Sequence, residues 1–225
     1  MRLYIVVVLI LAGCSSQPQA QTPNIWWPSA QEWESVRKSG VPLTRSDKTR
    51  VFLRGEVIDL VLTVKHALEK SSAIKAELGV YDSSRPNAYS TIYEGKAYVF
   101  LSLSYLDLFG SDPDVLATTI GHEYAHIHLG HEAARNERAS GTSFLTWFIG
   151  ASAQSFTRDQ EREADQQGIR WAMEAGFNAC GQARMARELS KLGLTITFLS
   201  THPSYAERSE LASEYARKAT GKGCD

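Results

Sequence analysis

Residues 112–128 read DPDVLATTIGHEYAHIH, and this stretch decides how the chain is expected to fold. Asp112 can accept hydrogen bonds from the first free backbone N–H groups of a helix, and Pro113 is favoured at the first helical position. The stretch therefore predicts a helix that begins after Asp112. Four residues separate His122 from His126, so their imidazoles lie only about 40° apart around a helix of 3.6 residues per turn. One face of the helix therefore carries both rings, and the apolar residues of the opposite face can pack against the rest of the protein.

Two histidines at this spacing with a glutamate between them are typical of a hydrolytic metal site. Zinc takes nitrogen and oxygen ligands tetrahedrally and keeps one position for water in catalytic sites. His122 and His126 are therefore predicted to bind Zn²⁺, with one ion per chain. Glu123 can take a proton from the water that the metal activates and pass it to the leaving amine. The alternative is an accidental match, which any short motif risks.

A second cluster downstream argues against an accidental match. Residues 158–176 have a helical pattern and contain Glu161 and Asp165, which are about one turn apart and share a face. Glu161 can supply the third metal ligand. Asp165 can accept a hydrogen bond from the second ring nitrogen of a ligand histidine and so fix its tautomer. On its own, the cluster would be interpreted as a charged, solvated helix face.

The chain resembles peptidase family M48, in which His-Glu-x-x-His is followed by Glu-x-x-Ala-Asp. Residues 122–126 and 161–165 carry these motifs, and the resemblance extends from Glu77 to Arg208. It implies a mainly helical α+β fold, a zincin-like domain of the gluzincin type with a small antiparallel sheet at the cleft edge. It also implies a metalloendopeptidase, an enzyme that hydrolyses peptide bonds in protein or peptide substrates.

A segment upstream is also similar to the family. Asn87, Ala88 and Tyr89 match the family's Asn-Ala-aromatic segment. This resemblance implies an edge strand beside the cleft that can pair with an extended peptide substrate.

Downstream, His202 lies in a Thr-His-Pro element similar to one in the family. By that resemblance His202 would stabilise the developing oxyanion or occupy the open coordination position. A loop histidine without such a role is the alternative. Arg208 is expected to pair with a nearby carboxylate. His128 and His131 point away from the direction of His122 if the helix continues, so neither is expected to bind metal, and a packing or helix-end role is predicted for His131.

The N-terminal residues MRLYIVVVLILAGC are predicted to be an export signal, since the apolar run is far shorter than the roughly 20 residues of a spanning helix. The letters LAGC are similar to the lipobox of bacterial lipoproteins, which implies removal of residues 1–13 and a lipid on Cys14. Residues 14–28 are predicted to be a tether, and residues 29–225 the folded domain. Ser15 implies, by the same resemblance, an anchor in the outer membrane with the domain at the periplasmic face. An ordinary secretory signal that contains a cysteine is the alternative.

The remaining cysteines and the net charge give two further predictions. With Cys14 assigned to lipid and the chain exported, a disulfide between Cys180 and Cys224 is predicted. Two thiols that never meet are the alternative. The formal net charge is −1 with no basic block, so nucleic-acid binding is not expected.

The other predicted elements are local. Residues 29–40 and 56–72 are predicted to form helices, and Glu94-Gly95 separates two strand-like runs that predict a hairpin. The apolar stretch 141–156 is too short to cross a membrane; a buried helix is favoured over a mobile lid.

Three functions remain open on the sequence alone. The leading hypothesis is a zinc endopeptidase that cleaves misfolded or stalled envelope proteins. The second is an outer-membrane assembly factor or chaperone with latent protease activity, which could contact the outer-membrane assembly machinery. The third is a zinc amidase that acts on cell-wall peptides. Replacing Glu123 would separate the first two, because binding should survive the change and proteolysis should not.

Overall fold

The computed structural model describes residues 24–131, 156–193 and 204–224. The elements in these ranges are β1 (Ile25–Trp26), α1 (Ala30–Val36), β2 (Val41–Thr44), β3 (Arg50–Leu53), α2 (Gly55–Ser72), β4 (Glu77–Tyr81), β5 (Ala88–Tyr93), β6 (Lys96–Ser102), α3 (Leu103–Phe109), α4 (Pro113–His128), α5 (Arg158–Glu174), α6 (Cys180–Lys191) and α7 (Tyr205–Thr220). The predicted mainly helical α+β class is confirmed. Among the described helices, we find none that is both long and apolar enough to cross a membrane.

Four strands form a mixed sheet in the order β1-β4-β6-β5, while β2 and β3 form a separate antiparallel pair. Strand β6 runs parallel to β4 and antiparallel to β5. The prediction of a purely antiparallel sheet is therefore wrong. The chain leaves β4, places β5 one position further out, and returns as β6 into the gap between them. A sequence pattern predicts strands but does not encode this order.

The predicted hairpin is present as β5 and β6. Its two turn residues, Glu94 and Gly95, have positive φ angles of 47° and 76°. Such angles are typical of the two-residue type I′ turn, whose twist matches that of the flanking strands. Tyr93 pairs with Lys96 directly beyond the turn. The turn makes β5 the neighbour of β6, and the strand order places β5 at one edge of the sheet that the structure describes.

Asp112 caps α4 as predicted. Its carboxylate accepts hydrogen bonds at 3.1 Å from the backbone N–H groups of both Asp114 and Val115. Pro113 is the first helical residue. Two further bonds of 2.8 Å, from the guanidinium of Arg184, connect the same carboxylate to α6. The start of α4 is therefore fixed both within the helix and against its neighbour.

Helix α4 lies at the centre of the helical layer and packs against α2, α5, α6 and β5. Every residue from Val115 to His126 is buried. Buried polar side chains need hydrogen-bond partners or a metal ion to offset their lost hydration. The buried histidines of α4 therefore need hydrogen-bond partners or a metal ion.

The folded part begins before the predicted boundary at Ser29. Ile25 and Trp26, assigned to the tether by composition, form β1 and pair with β4. The ring of Trp26 lies 4.2 Å, between centroids, from that of the buried Trp33. A two-residue strand is too short to leave a periodic pattern in the sequence.

The predicted disulfide is present between Cys180, at the start of α6, and Cys224, after α7. Residues 1–13 and Cys14 lie outside the described residues. So does the apolar stretch 141–156, except for Phe156.

Candidate metal centre

Two glycines allow α4 and α5 to cross at close range. A Cβ atom built on Gly121 would lie 2.7 Å from the carbonyl oxygen of Gly168. One built on Gly168 would lie 2.5 Å from the backbone nitrogen of His122. Neither position has space for a side chain. The crossing therefore brings the histidines of α4 close to the acidic face of α5.

The three predicted ligands point their donor atoms toward one another. Nε2 of His122 lies 3.0 Å from Nε2 of His126. The two carboxylate oxygens of Glu161 lie 3.3 Å from the first nitrogen and 3.6 Å from the second. In a tetrahedral site with zinc–ligand distances near 2.0–2.1 Å, ligand atoms are about 3.3 Å apart. The buried set His122, His126 and Glu161 has this spacing and could hold a metal ion.

Asp165 and Arg208 support His122 from behind. Nδ1 of His122 lies 2.9 Å from Oδ1 of Asp165, as predicted for the partner of a ligand histidine. Nη2 of Arg208, on α7, donates to the same oxygen at 2.7 Å. All three side chains are buried. A carboxylate that accepts the Nδ1–H leaves Nε2 free to face a metal.

The surroundings of His122 favour positive charge. Burial alone would lower the pKa of His122, but hydrogen bonds to Asp165 and Glu161, and the charges of both, raise it to about 10. Burial opposes ionisation of Asp165, but the charge of Arg208 and the hydrogen bond with His122 hold the pKa of this carboxyl below its ordinary value. Asp165 is therefore a carboxylate. A cation between His122 and Glu161 would meet the same attraction that a proton does.

His131 contacts a ligand in a way that the sequence interpretation missed. Helix α4 ends at His128, and Gly130 adopts a φ of 70°. The N–H of His131 bonds to the carbonyl oxygen of His126 at 3.1 Å, and that of Gly130 to Ile127 at 3.2 Å, which is the Schellman pattern. This turn brings Nδ1 of His131 to 2.9 Å from Nδ1 of His126.

The predicted position of His131 at the helix end, outside the ligand set, is confirmed, but the prediction left out its ring contact with His126. It assumed a continuing helix, in which His131 would point away from the ligands. The signal that could have corrected it is Gly130, because glycine is common directly after a helix end and turns the chain back on the last helical turn.

The predicted base lies beside the ligands. Glu123 is buried and lines a small cavity together with His122 and Ala88, the first residue of β5. Strand β5 also packs against α4. The cavity thus brings together the predicted base, one predicted ligand and the predicted substrate strand.

The substrate strand is held in place by its neighbour β6. The N–H of Asn87 donates to Oγ of Ser102 at 2.9 Å, and the N–H of Ser102 donates to the carbonyl oxygen of Asn87 at 2.9 Å. Tyr89 pairs with Phe100, and their rings stack with centroids 5.3 Å apart. His202, the remaining predicted site residue, lies outside the described residues, so its role stays a prediction.

Comparison with known proteins places these residues in a family. The sequence matches peptidase family M48 over residues 59–154 and 147–216. It is also similar to the mitochondrial metalloendopeptidase OMA1 of Schizosaccharomyces pombe, at 28% identity over 176 residues, which cover 69% of this chain and 51% of the relative. The chain thus spans about half the length of that relative.

The predicted location, a lipid anchor at the periplasmic face of the outer membrane, is wrong on this comparison. The relative is, by its name, a mitochondrial protein, and the similarity extends over 176 residues. The prediction depended on a four-letter motif after a short apolar run, and motifs of this length also occur by chance. The predicted contact with the outer-membrane assembly machinery loses its basis with it.

The family match covers more than half of the chain and includes every residue of the metal centre described above. It confirms the resemblance inferred from the motifs and the predicted class of enzyme. The chain belongs to peptidase family M48, a family of metalloendopeptidases that act on proteins or peptides.

Proposed function

We propose that this chain is a zinc-dependent endopeptidase in which His122, His126 and Glu161 hold the metal and Glu123 is the general base. The observation that carries the proposal is the convergence of donor atoms from three buried side chains, 3.0–3.6 Å apart, on two crossing helices. Two imidazoles and one carboxylate form a ligand set of catalytic zinc. When bound, zinc supplies Lewis acidity, which makes water more acidic and polarises the peptide carbonyl.

Glu123 is suited to proton transfer rather than to metal binding. Adjacent residues of a helix point about 100° apart, so Glu123 does not share the direction of His122. It lies in the cavity that His122 and Ala88 also line. From there its carboxylate would take the proton of the attacking water and deliver it to the leaving amine.

The substrates we propose are unfolded segments of proteins. Strand β5 lies next to α4 and at an edge of the described sheet, and this position supports the proposed zincin-like cleft. An extended segment can add to such an edge through backbone hydrogen bonds, which a folded protein has already used internally. Pairing beside Ala88 would lay a peptide bond of the segment across the cavity of Glu123.

The proposal is tested with purified protein, unfolded casein and the variant Glu123→Gln. Loss of a general base should lower the cleavage rate by at least about 100-fold. Zinc content, measured on the same samples, should stay at one ion per chain, because glutamine preserves the shape of Glu123 and the three ligands are unchanged. Glu174→Gln, the same substitution at an exposed position of α5, is the matched control and should cleave like the wild type.

The other outcomes contradict the proposal in different ways. Wild-type protein that binds zinc and casein without cutting would be a binding factor rather than a protease. Wild-type protein without zinc would remove the site assignment itself. Equal cleavage by Glu123→Gln would assign the base to another residue.

A further inference from the structure

The two histidine ligands of the metal centre are supported by different chemistry. Nδ1 of His122 faces the carboxylate of Asp165. Nδ1 of His126 faces a second imidazole, that of His131, at 2.9 Å. His131 is buried, and its other ring nitrogen, Nε2, lies 3.3 Å from Oε2 of Glu163. A series of contacts therefore runs from the ligand His126 through His131 to Glu163 at the protein surface. The side chain of Glu163 is 62% exposed.

The protons of His126 and His131 have one consistent arrangement when a metal occupies the site. A metal on Nε2 of His126 requires the proton of that ring to be on Nδ1. His131 must then accept this proton's hydrogen bond on its own Nδ1 and carry its proton on Nε2. That Nε2–H points at an acceptor, the carboxylate of Glu163, so the ring N–H groups of His126 and His131 each meet an acceptor.

The ring of His126 is also held from its face. Phe156 stacks on it with centroids 3.8 Å apart and planes 14° from parallel. Stacking fixes the plane of an imidazole but does not choose which nitrogen carries the proton. The contact of Nδ1 of His126 with His131 can make this choice.

We propose that His131 is a positioning residue for the metal ligand His126: by accepting the Nδ1–H of His126, it keeps the Nε2 lone pair of that ligand directed at the metal. The inference rests on the proposed zinc site and deepens it. His131 reaches this position because Gly130 ends α4 in a Schellman turn, which brings His131 onto the helix turn of His126.

The test measures zinc affinity, by competition with a chromophoric chelator, on metal-stripped protein. His131→Ala should bind zinc about 10- to 100-fold more weakly than the wild type, the usual effect of removing a hydrogen-bond partner of a ligand. His131→Asn should recover most of the affinity, because its Oδ1 takes the place of Nδ1 as acceptor. His128→Ala is the matched control: this exposed histidine faces Trp171 rather than a ligand, and its loss should leave zinc affinity unchanged.

Wild-type affinity in His131→Ala would overturn the inference. Far-UV circular dichroism reports whether that variant folds; if it does not, His131→Gln replaces it, because its amide oxygen extends beyond the Nδ1 position. Equal affinities of the Asn and Gln variants would then also overturn the inference. Zinc binding by the wild type separates the two proposals. If the wild type binds no zinc, the proposed function is wrong. If it binds zinc and His131→Ala binds zinc equally well, only the role of His131 is wrong.

Discussion

At the scale of single residues, the metal centre depends on a buried pair of opposite charges outside the ligand set. Asp165 and Arg208 are each at most 3% exposed, and Oδ1 of Asp165 accepts hydrogen bonds from both Arg208 and His122. A buried charge is tolerated when it is paired and hydrogen-bonded, and removal of one partner leaves the other uncompensated. This pair therefore contributes to folding as well as to the orientation of His122.

Replacing Asp165 or Arg208 alone should be strongly destabilising, and replacing both should cost less than the sum of the two single losses. Arg208→Gln and Asp165→Asn should each lower the free energy of unfolding by about 3–5 kcal/mol, because each breaks a buried pair of opposite charges. In the double variant the two amides can still hydrogen-bond, so the losses should fall short of additivity by about 1–3 kcal/mol. Urea unfolding in excess chelator measures this without a contribution from metal binding. Additive losses would mean that the two residues stabilise the protein independently.

One contact of the metal centre could be predicted from the sequence and another could not. The contact of Asp165 with His122 could be predicted because both motifs have fixed helical spacing, and only their mutual approach had to be assumed. The contact of His131 with His126 could not, because helical angles apply only as far as the helix continues. Helix α4 ends at His128, and from Gly130 onward the geometry of the turn, not the helical angle, sets where side chains point.

At the scale of elements, the approach of α4 to α5 depends on two glycines rather than on the ligands themselves. The predicted helices and the cap at Asp112 follow from local periodicity and hydrogen bonding. The close crossing at Gly121 and Gly168 does not, because a helical glycine by itself does not reveal what it faces. The mixed strand order is undetermined for the same reason: it depends on contacts distant in sequence.

Gly168→Ala tests the crossing. In an isolated helix alanine would be favoured by about 1 kcal/mol. Here its Cβ would lie 2.5 Å from the backbone nitrogen of His122, so the helices must move apart. We expect a loss of about 1–3 kcal/mol in the free energy of unfolding, together with weaker zinc binding because Glu161 moves away from the histidines. Urea unfolding and chelator competition measure both.

Gln166→Ala provides the matched control for that substitution. Gln166 is exposed on the same helix, so its replacement should leave stability and zinc affinity close to those of the wild type. A Gly168→Ala protein that equals the Gln166→Ala protein in both measurements would contradict the close crossing.

At the scale of the whole molecule, the disulfide holds the C-terminal end of the chain against the helical layer. Small side chains of α6 and α7 share one buried cluster, Ala183 with Ala212 and Ala216, together with Ala179 directly before α6. Small residues allow close approach but bury little apolar area each. The bond between Cys180 and Cys224 closes a loop with a sequence separation of 44, which removes many conformations from the unfolded chain. Arg208 lies on α7, so the bond also secures the helix that delivers the partner of Asp165.

Removing this bond should lower the free energy of unfolding by about 2–4 kcal/mol, mainly through the freedom regained by the unfolded chain. The double variant Cys180→Ser/Cys224→Ser and the reduced wild type should therefore unfold at the same lower urea concentration, and the oxidised wild type at a higher one. Zinc content should be unchanged below the unfolding transition, because neither cysteine is a ligand. An identical midpoint for oxidised and reduced wild type would mean that packing between α6 and α7 suffices to hold the C-terminal helix, and that the position of Arg208 does not depend on the disulfide.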